Sequence, residues 1–146
     1  MEGSGQVEGK TTITNENLEL SIAGSGEMNL DVAANKIESS IAGSGDLELN
    51  GNAKVWEASI AGSGDITLTG KVEDLLDISI SGSGDVVADQ LKAKDVEISI
   101  SGSGDVSVYC DGTLSTSVSG SGDIRYSGSP TIEKVSTSGS GSVTRN

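Results

Sequence analysis

The tripeptide Gly-Ser-Gly begins at Gly24, Gly43, Gly62, Gly82, Gly102, Gly120 and Gly139, at intervals of 19, 19, 20, 20, 18 and 19 residues. An eighth copy, Gly3-Ser4-Gly5, stands 21 residues before the first of these. A period this regular restricts the chain to repeat architectures, because a unit of 19 residues cannot bury a hydrophobic face alone and must stack on its neighbours. Each copy holds two glycines, so 16 of the 21 in the chain mark one position of the repeat. Glycine is therefore periodic here and not low-complexity filler.

The flanks keep the same register. Before the tripeptides stand Leu18-Glu-Leu-Ser-Ile22, Ile37-Glu-Ser-Ser-Ile41, Trp56-Glu-Ala-Ser-Ile60, Leu76-Asp-Ile-Ser-Ile80, Val96-Glu-Ile-Ser-Ile100 and Leu114-Ser-Thr-Ser-Val118. After them stand Glu27-Met-Asn-Leu, Asp46-Leu-Glu-Leu, Asp65-Ile-Thr-Leu, Asp85-Val-Val-Ala, Asp105-Val-Ser-Val and Asp123-Ile-Arg-Tyr. Period-two alternation marks strands with one face in a core and one in water, and no segment holds a 3.6 period long enough for a helix. A variable link such as Asn50-Gly-Asn-Ala-Lys54 closes each repeat. Short strands without crossover helices can pair only with their counterparts one repeat away. The expected fold is all-β: a single-stranded parallel β-helix, or solenoid, of about seven or eight coils of roughly 19 residues. The general handedness of parallel connections makes it right-handed. One domain spans residues 1–146, its coils marked by Gly-Ser-Gly at 3, 24, 43, 62, 82, 102, 120 and 139.

Stacking predicts inward columns, Ile22, Ile41, Ile60, Ile80, Ile100, Val118 and Met28, Leu47, Ile66, Val86, Val106, Ile124, with members about 4.8 Å apart. A coil this narrow explains a chain with no Phe, one Trp and two Tyr. Trp56 is assigned to the column of Leu18, Ile37 and Leu76, Tyr126 and Cys110 also point inward, and Cys110 is a buried inert thiol. Gly-Ser-Gly marks a corner, where glycine supplies special φ values or lets backbones approach. The last coil replaces the core aliphatic by Thr137 and the acidic residue by Ser142, which reads as a polar cap. The first coil offers no strand before Gly3-Ser4-Gly5 and leaves a sheet edge open to pairing with a second copy.

A net charge of −13 and no histidine exclude whole classes of function. The charge repels nucleic acid, and the missing histidine removes the commonest general base and any activator for the many serines. A single cysteine permits neither an intrachain disulfide nor a thiolate metal cluster. Near-constant coil length leaves no long loops to wall a catalytic cleft. No run of about 18 apolar residues exists to span a bilayer, and Met1–Gln6 lacks the pattern of a signal peptide.

Glu27, Asp46, Asp65, Asp85, Asp105 and Asp123 share one repeat position and form an acidic row. Local donors at the glycine corner can cap it, and a line of weak calcium sites is the sharper alternative. Ser21, Ser40, Ser59, Ser79, Ser99 and Ser117 form an outward ladder of small side chains, beside a second made by Ala23, Ala42, Ala61, Ser81, Ser101 and Ser119. Lys36, Lys54, Lys71, Lys92, Lys94 and Lys134 fall in the links, where they are expected to offset the acidic rows and protect edges.

The pattern Ile98-Ser-Ile-Ser-Gly-Ser-Gly-Asp-Val106 and the tail from Asp123 through Pro130 to Val143 resemble the bacterial family called putative auto-transporter adhesin, head GIN domain. The similarity runs from about Glu16 to the end. It implies a β-helix in a cell-envelope protein, on the periplasmic side or extracellular. No catalytic, ligand-binding or cofactor residues come with it. The expected function is a non-catalytic scaffold or adhesion-type module that presents a rigid acidic surface to a protein or glycan at the cell surface. The alternatives are a calcium-stabilised module built on the Asp row and an element that assembles end to end.

Overall fold

The computed structural model describes residues 2–3, 6–8, 13–129 and 131–145. Ser4, Gly5, Pro130 and Asn146 lie outside them, so the eighth tripeptide and the proline of the tail are described only in part. The described chain is strand almost throughout: β1 Glu2–Gly3, β2 Gln6–Glu8, β3 Ile13–Gly24, β4 Glu27–Gly43, β5 Asp46–Gly62, β6 Asp65–Gly82, β7 Val86–Gly102, β8 Val106–Cys110, β9 Thr113–Gly120, β10 Asp123–Ser127, β11 Thr131–Ser138 and β12 Ser142–Arg145. No helix occurs among the described residues.

Every pairing is parallel and joins residues one repeat apart. Ile22 pairs with Ile41, Ile41 with Ile60, Ile60 with Ile80, Ile80 with Ile100, and Ile100 with Val118. Repeat spacing in the sequence thus becomes stacking register in space, a β-solenoid of about seven turns. Gly3 of β1 pairs with Gly24, so the stack continues downward at the eighth copy. The expected short strands merge. From β4 to β7 a strand of 17 or 18 residues runs through most of each coil, links included, and breaks only at the Gly-Ser-Gly corner. The links still pair with the links above and below, which keeps their backbone groups in the ladder.

Each tripeptide uses its glycines differently. The first has positive φ, for example +125° at Gly43, a conformation that L side chains rarely adopt. A Cβ there would also lie 2.5 Å from the carbonyl oxygen of Gly24. That oxygen accepts the N–H of Ser44 at 3.0 Å, and the contact repeats from coil to coil as Ser63 to Gly43, Ser83 to Gly62, Ser103 to Gly82 and Ser121 to Gly102. The second glycine faces inward, and a Cβ on Gly45 would fall 2.5 Å from the Gly26 oxygen and 2.6 Å from Ile22 Cγ2. It is the floor on which the Ile column packs.

The core is a set of continuous columns. Both predicted ones are buried at every position, and two more, Leu30-Leu49-Leu68-Ala88-Val108 and Ser39-Ala58-Ile78-Ile98-Thr116, run beside them. Trp56 is fully buried in the column of Ile37 and Leu76. Its bulk is accommodated where the next column is smallest, at Ser39 and Ala58, while later coils set Leu76 against Ile78 and Val96 against Ile98. The indole N–H donates to Ser39 Oγ at 3.4 Å, and that hydroxyl donates to the Glu57 carbonyl at 3.2 Å. Thr116 is the exception among buried polar groups: its Oγ1 finds no partner. Cys110 is a buried free thiol with Sγ 3.1 Å from the carbonyls of Lys94 and Thr113. Burial pushes its pKa up, away from the reactive thiolate. Tyr126 packs partly buried against the core. Thr137 pairs with Val118 but is exposed, as a polar last coil requires.

Candidate functional site

With the interior filled by side chains, what the solenoid offers to solvent is a set of ladders, each built from one outward position per coil. The serine and alanine rows before the corner face solvent in register, Ser59 on Ser79 and Ala61 on Ser81 among them. An open concavity lies beside the serine row, lined by Glu38, Ser40, Glu57, Ser59, Asp77 and Ser79.

The predicted acidic row lies just past the corner, in register and outward. From Asp65 onward the carboxylates are engaged by backbone. Asp65 Oδ1 accepts the N–H of Asp85 at 3.2 Å, Asp85 that of Asp105 at 3.0 Å, Asp105 that of Asp123 at 3.0 Å, and Asp123 that of Ser142 at 3.1 Å. Each aspartate therefore caps the amide of the residue stacked above it, which offsets part of the like-charge repulsion along the row. Lower in the stack the Asp46 N–H goes to the Gly26 carbonyl at 3.1 Å instead. No group of three or more potential metal ligands is found among the described residues.

A second acidic ladder, which the sequence reading passed over, runs on the other side of the corner. Glu19, Glu38, Glu57, Asp77 and Glu97 pair coil on coil. The alternating segments carried the signal, one acidic residue after the first apolar one in five successive repeats. Lys36 serves this ladder, with Nζ 3.1 Å from Glu38 and 3.9 Å from Glu57. The hydrogen bond to Glu38 and the charge of Glu57 raise the Lys36 pKa, and the same hydrogen bond lowers that of Glu38. Asp77 is half-buried in the ladder, and burial raises its pKa.

The expectation that the link lysines offset the acidic rows holds for Lys36 alone among the described residues. Lys54, Lys71, Lys92 and Lys94 are exposed on the link face instead. There Ala53, Val72, Ala93 and Cys110 form a buried column, and one residue further along the chain come Lys54, Glu73, Lys94 and Asp111, exposed at positions where the ladder shifts register. One residue before it come Asn52, Lys71, Lys92 and Tyr109, which pair directly. A hydrogen bond to Asp111 and that residue's charge raise the Tyr109 pKa.

Comparison with known proteins places these ladders in context. The family model described as putative auto-transporter adhesin, head GIN domain matches residues 1–67 and 52–130. Two solved structures from Parabacteroides distasonis ATCC 8503 resemble the chain. One, a putative lipid binding protein, is 32% identical with a TM-score of 0.83 and is matched over 97% of this chain and 60% of its own. The other, a putative adhesin, is 27% identical with a TM-score of 0.82 and is matched over 98% and 64%. The chain thus spans less than two thirds of the length of either. No curated protein matches.

Proposed function

The chain belongs to the putative auto-transporter adhesin, head GIN domain family, and from that premise we propose a non-catalytic scaffold of the cell envelope or cell exterior. It presents a rigid β-solenoid surface to a protein or glycan. One observation carries the reading: inward positions are packed with aliphatics while outward ones are regular ladders of small and charged side chains. Such a rod has chemistry only on its faces. The chain has no histidine, and among the described residues no loop stands over the ladders to close a cleft, which argues against catalysis.

One relative is called a lipid binding protein. Applied here, a lipid would have to sit on the outside, because core columns occupy the space an acyl chain would need. The scaffold reading is tested by fractionating cells that produce the natural protein and locating it with an antibody. Recovery from the medium, the periplasm or the membrane-associated fraction is expected. Recovery from the cytosol alone overturns it.

A further inference from the structure

Opposite charges stacked coil on coil stabilise a parallel ladder and like charges destabilise it. On the link face Lys54, Glu73, Lys94 and Asp111 carry both signs, at positions where the ladder shifts register and forms no direct pair. The neighbouring row breaks the rule, since Lys71 pairs directly with Lys92 on adjacent coils. Neither lysine enters an ion pair or hydrogen bond among the described residues, although the chain carries 22 acidic side chains against nine basic ones. Lys36 shows what an offsetting lysine looks like in this fold, with two glutamates inside 4 Å.

The row's other members make the pair more specific. Asn52 lies one coil below Lys71 and Tyr109 one coil above Lys92, so the sequence along the stack is amide, ammonium, ammonium, phenol. These are the groups that hydrogen-bond hydroxyls and carboxylates, with the tyrosine ring as an amphipathic edge. Strand spacing sets the two lysines about 5 Å apart at the backbone, so their flexible side chains can reach one anionic group together. Two carboxylate ladders flank the corner, whereas on this face Lys71, Lys92 and Lys94 stand against Glu73 and Asp111, the latter held by Tyr109, so an anionic ligand is repelled less here than from the ladders.

We propose that the Asn52-Lys71-Lys92-Tyr109 row is a docking strip for an anionic saccharide, a glycan bearing uronate carboxylates. This deepens the scaffold reading and rests on it, naming the face and the ligand class. The partner lies across the coils, each successive coil contributing one side chain.

The test uses the purified chain and immobilised oligogalacturonate, with neutral dextran and phosphatidylglycerol vesicles as the other arms. Binding to oligogalacturonate that weakens with salt is expected, with little on dextran or vesicles. The double substitution Lys71→Gln/Lys92→Gln should weaken it by about tenfold or more, while Lys36→Gln, which also removes one positive charge but lies off the strip, leaves it unchanged or only slightly weaker. Both sites are exposed, and an unchanged melting midpoint verifies folding. Absence of binding at low salt, equal binding by the double variant, or capture by vesicles in preference to the saccharide overturns the proposal. Fractionation of the natural protein is a separate measurement, so an envelope location with no saccharide binding removes this strip and leaves the scaffold.

Discussion

Gly62→Ala tests the corner most directly. Gly62 has φ of +131°, and a Cβ would sit well inside the radius of the Gly43 carbonyl oxygen and 3.0 Å from the Gly43 nitrogen. The displaced oxygen is the acceptor for Ser63 N–H at 3.0 Å, so the strain and the ladder hydrogen bond are lost together. A non-glycine residue held in that region costs about 1–3 kcal/mol, and overpacking against fixed backbone costs about 1–3 kcal/mol more. A total of about 2–6 kcal/mol is a large share of the ordinary stability of a domain. Gly64→Ala lacks the positive φ and meets the Gly45 oxygen and Ile41 Cγ2 at 2.7 Å, so it should lose only the overpacking part, about 1–3 kcal/mol. Ser63→Ala, an exposed site between the two, should stay within about 0.5 kcal/mol of the parent. Urea unfolding followed by the fluorescence of Trp56, the sole tryptophan and fully buried in the same coil, measures all three. Equal stability of Gly62→Ala and Ser63→Ala would refute the account of the corner.

Thr116→Val should stabilise by about 1 kcal/mol in the same assay, because it removes a buried hydroxyl without a partner; a loss of that size would mean the hydroxyl is satisfied. Asp77 has a folded pKa raised above 3.8 by burial, so its ionisation destabilises the fold as pH rises through that range. Asp77→Asn should therefore be the more stable protein at pH 7, with the gap closing below about pH 4, and a pH-independent difference would contradict the cause. Cys110 should react with iodoacetamide in urea but hardly in buffer, and equal rates would contradict its burial. Calcium at about 1 mM should move the melting midpoint by less than about 1 °C, since Asp65, Asp85, Asp105 and Asp123 already accept backbone hydrogen bonds; a larger rise would assign the row to the cation.

The spacing of Gly-Ser-Gly and the alternation around it were enough to read the stack. Once residues 19 or 20 apart are neighbours, Ile41 under Ile60, Asp46 under Asp65 and Ser59 under Ser79 follow without coordinates, because a parallel ladder has one register that keeps apolar residues inside. Trp56, Cys110 and Thr137 were placed by the same parity. The links were not legible as strand, since Asn, Gly, Lys and Asp carry no period, yet their backbones pair because the flanking coils hold them one above another.

Sequence therefore determined which residues stack, because stacking follows from period alone. Only the tertiary structure decided what the stacked groups do to each other, since that depends on distances between side chains and backbone. It divided the work of the two glycines between positive φ and close approach. It turned the aspartate carboxylates onto the amides above them, and it seated the indole of Trp56 over Ser39 and Ala58. It also separated the lysine that serves the acidic ladder from those left on the link face, because Lys36 stacks on Val55, two residues before the ladder position, whereas Lys71 and Lys92 stack on Asn52 further back in the coil.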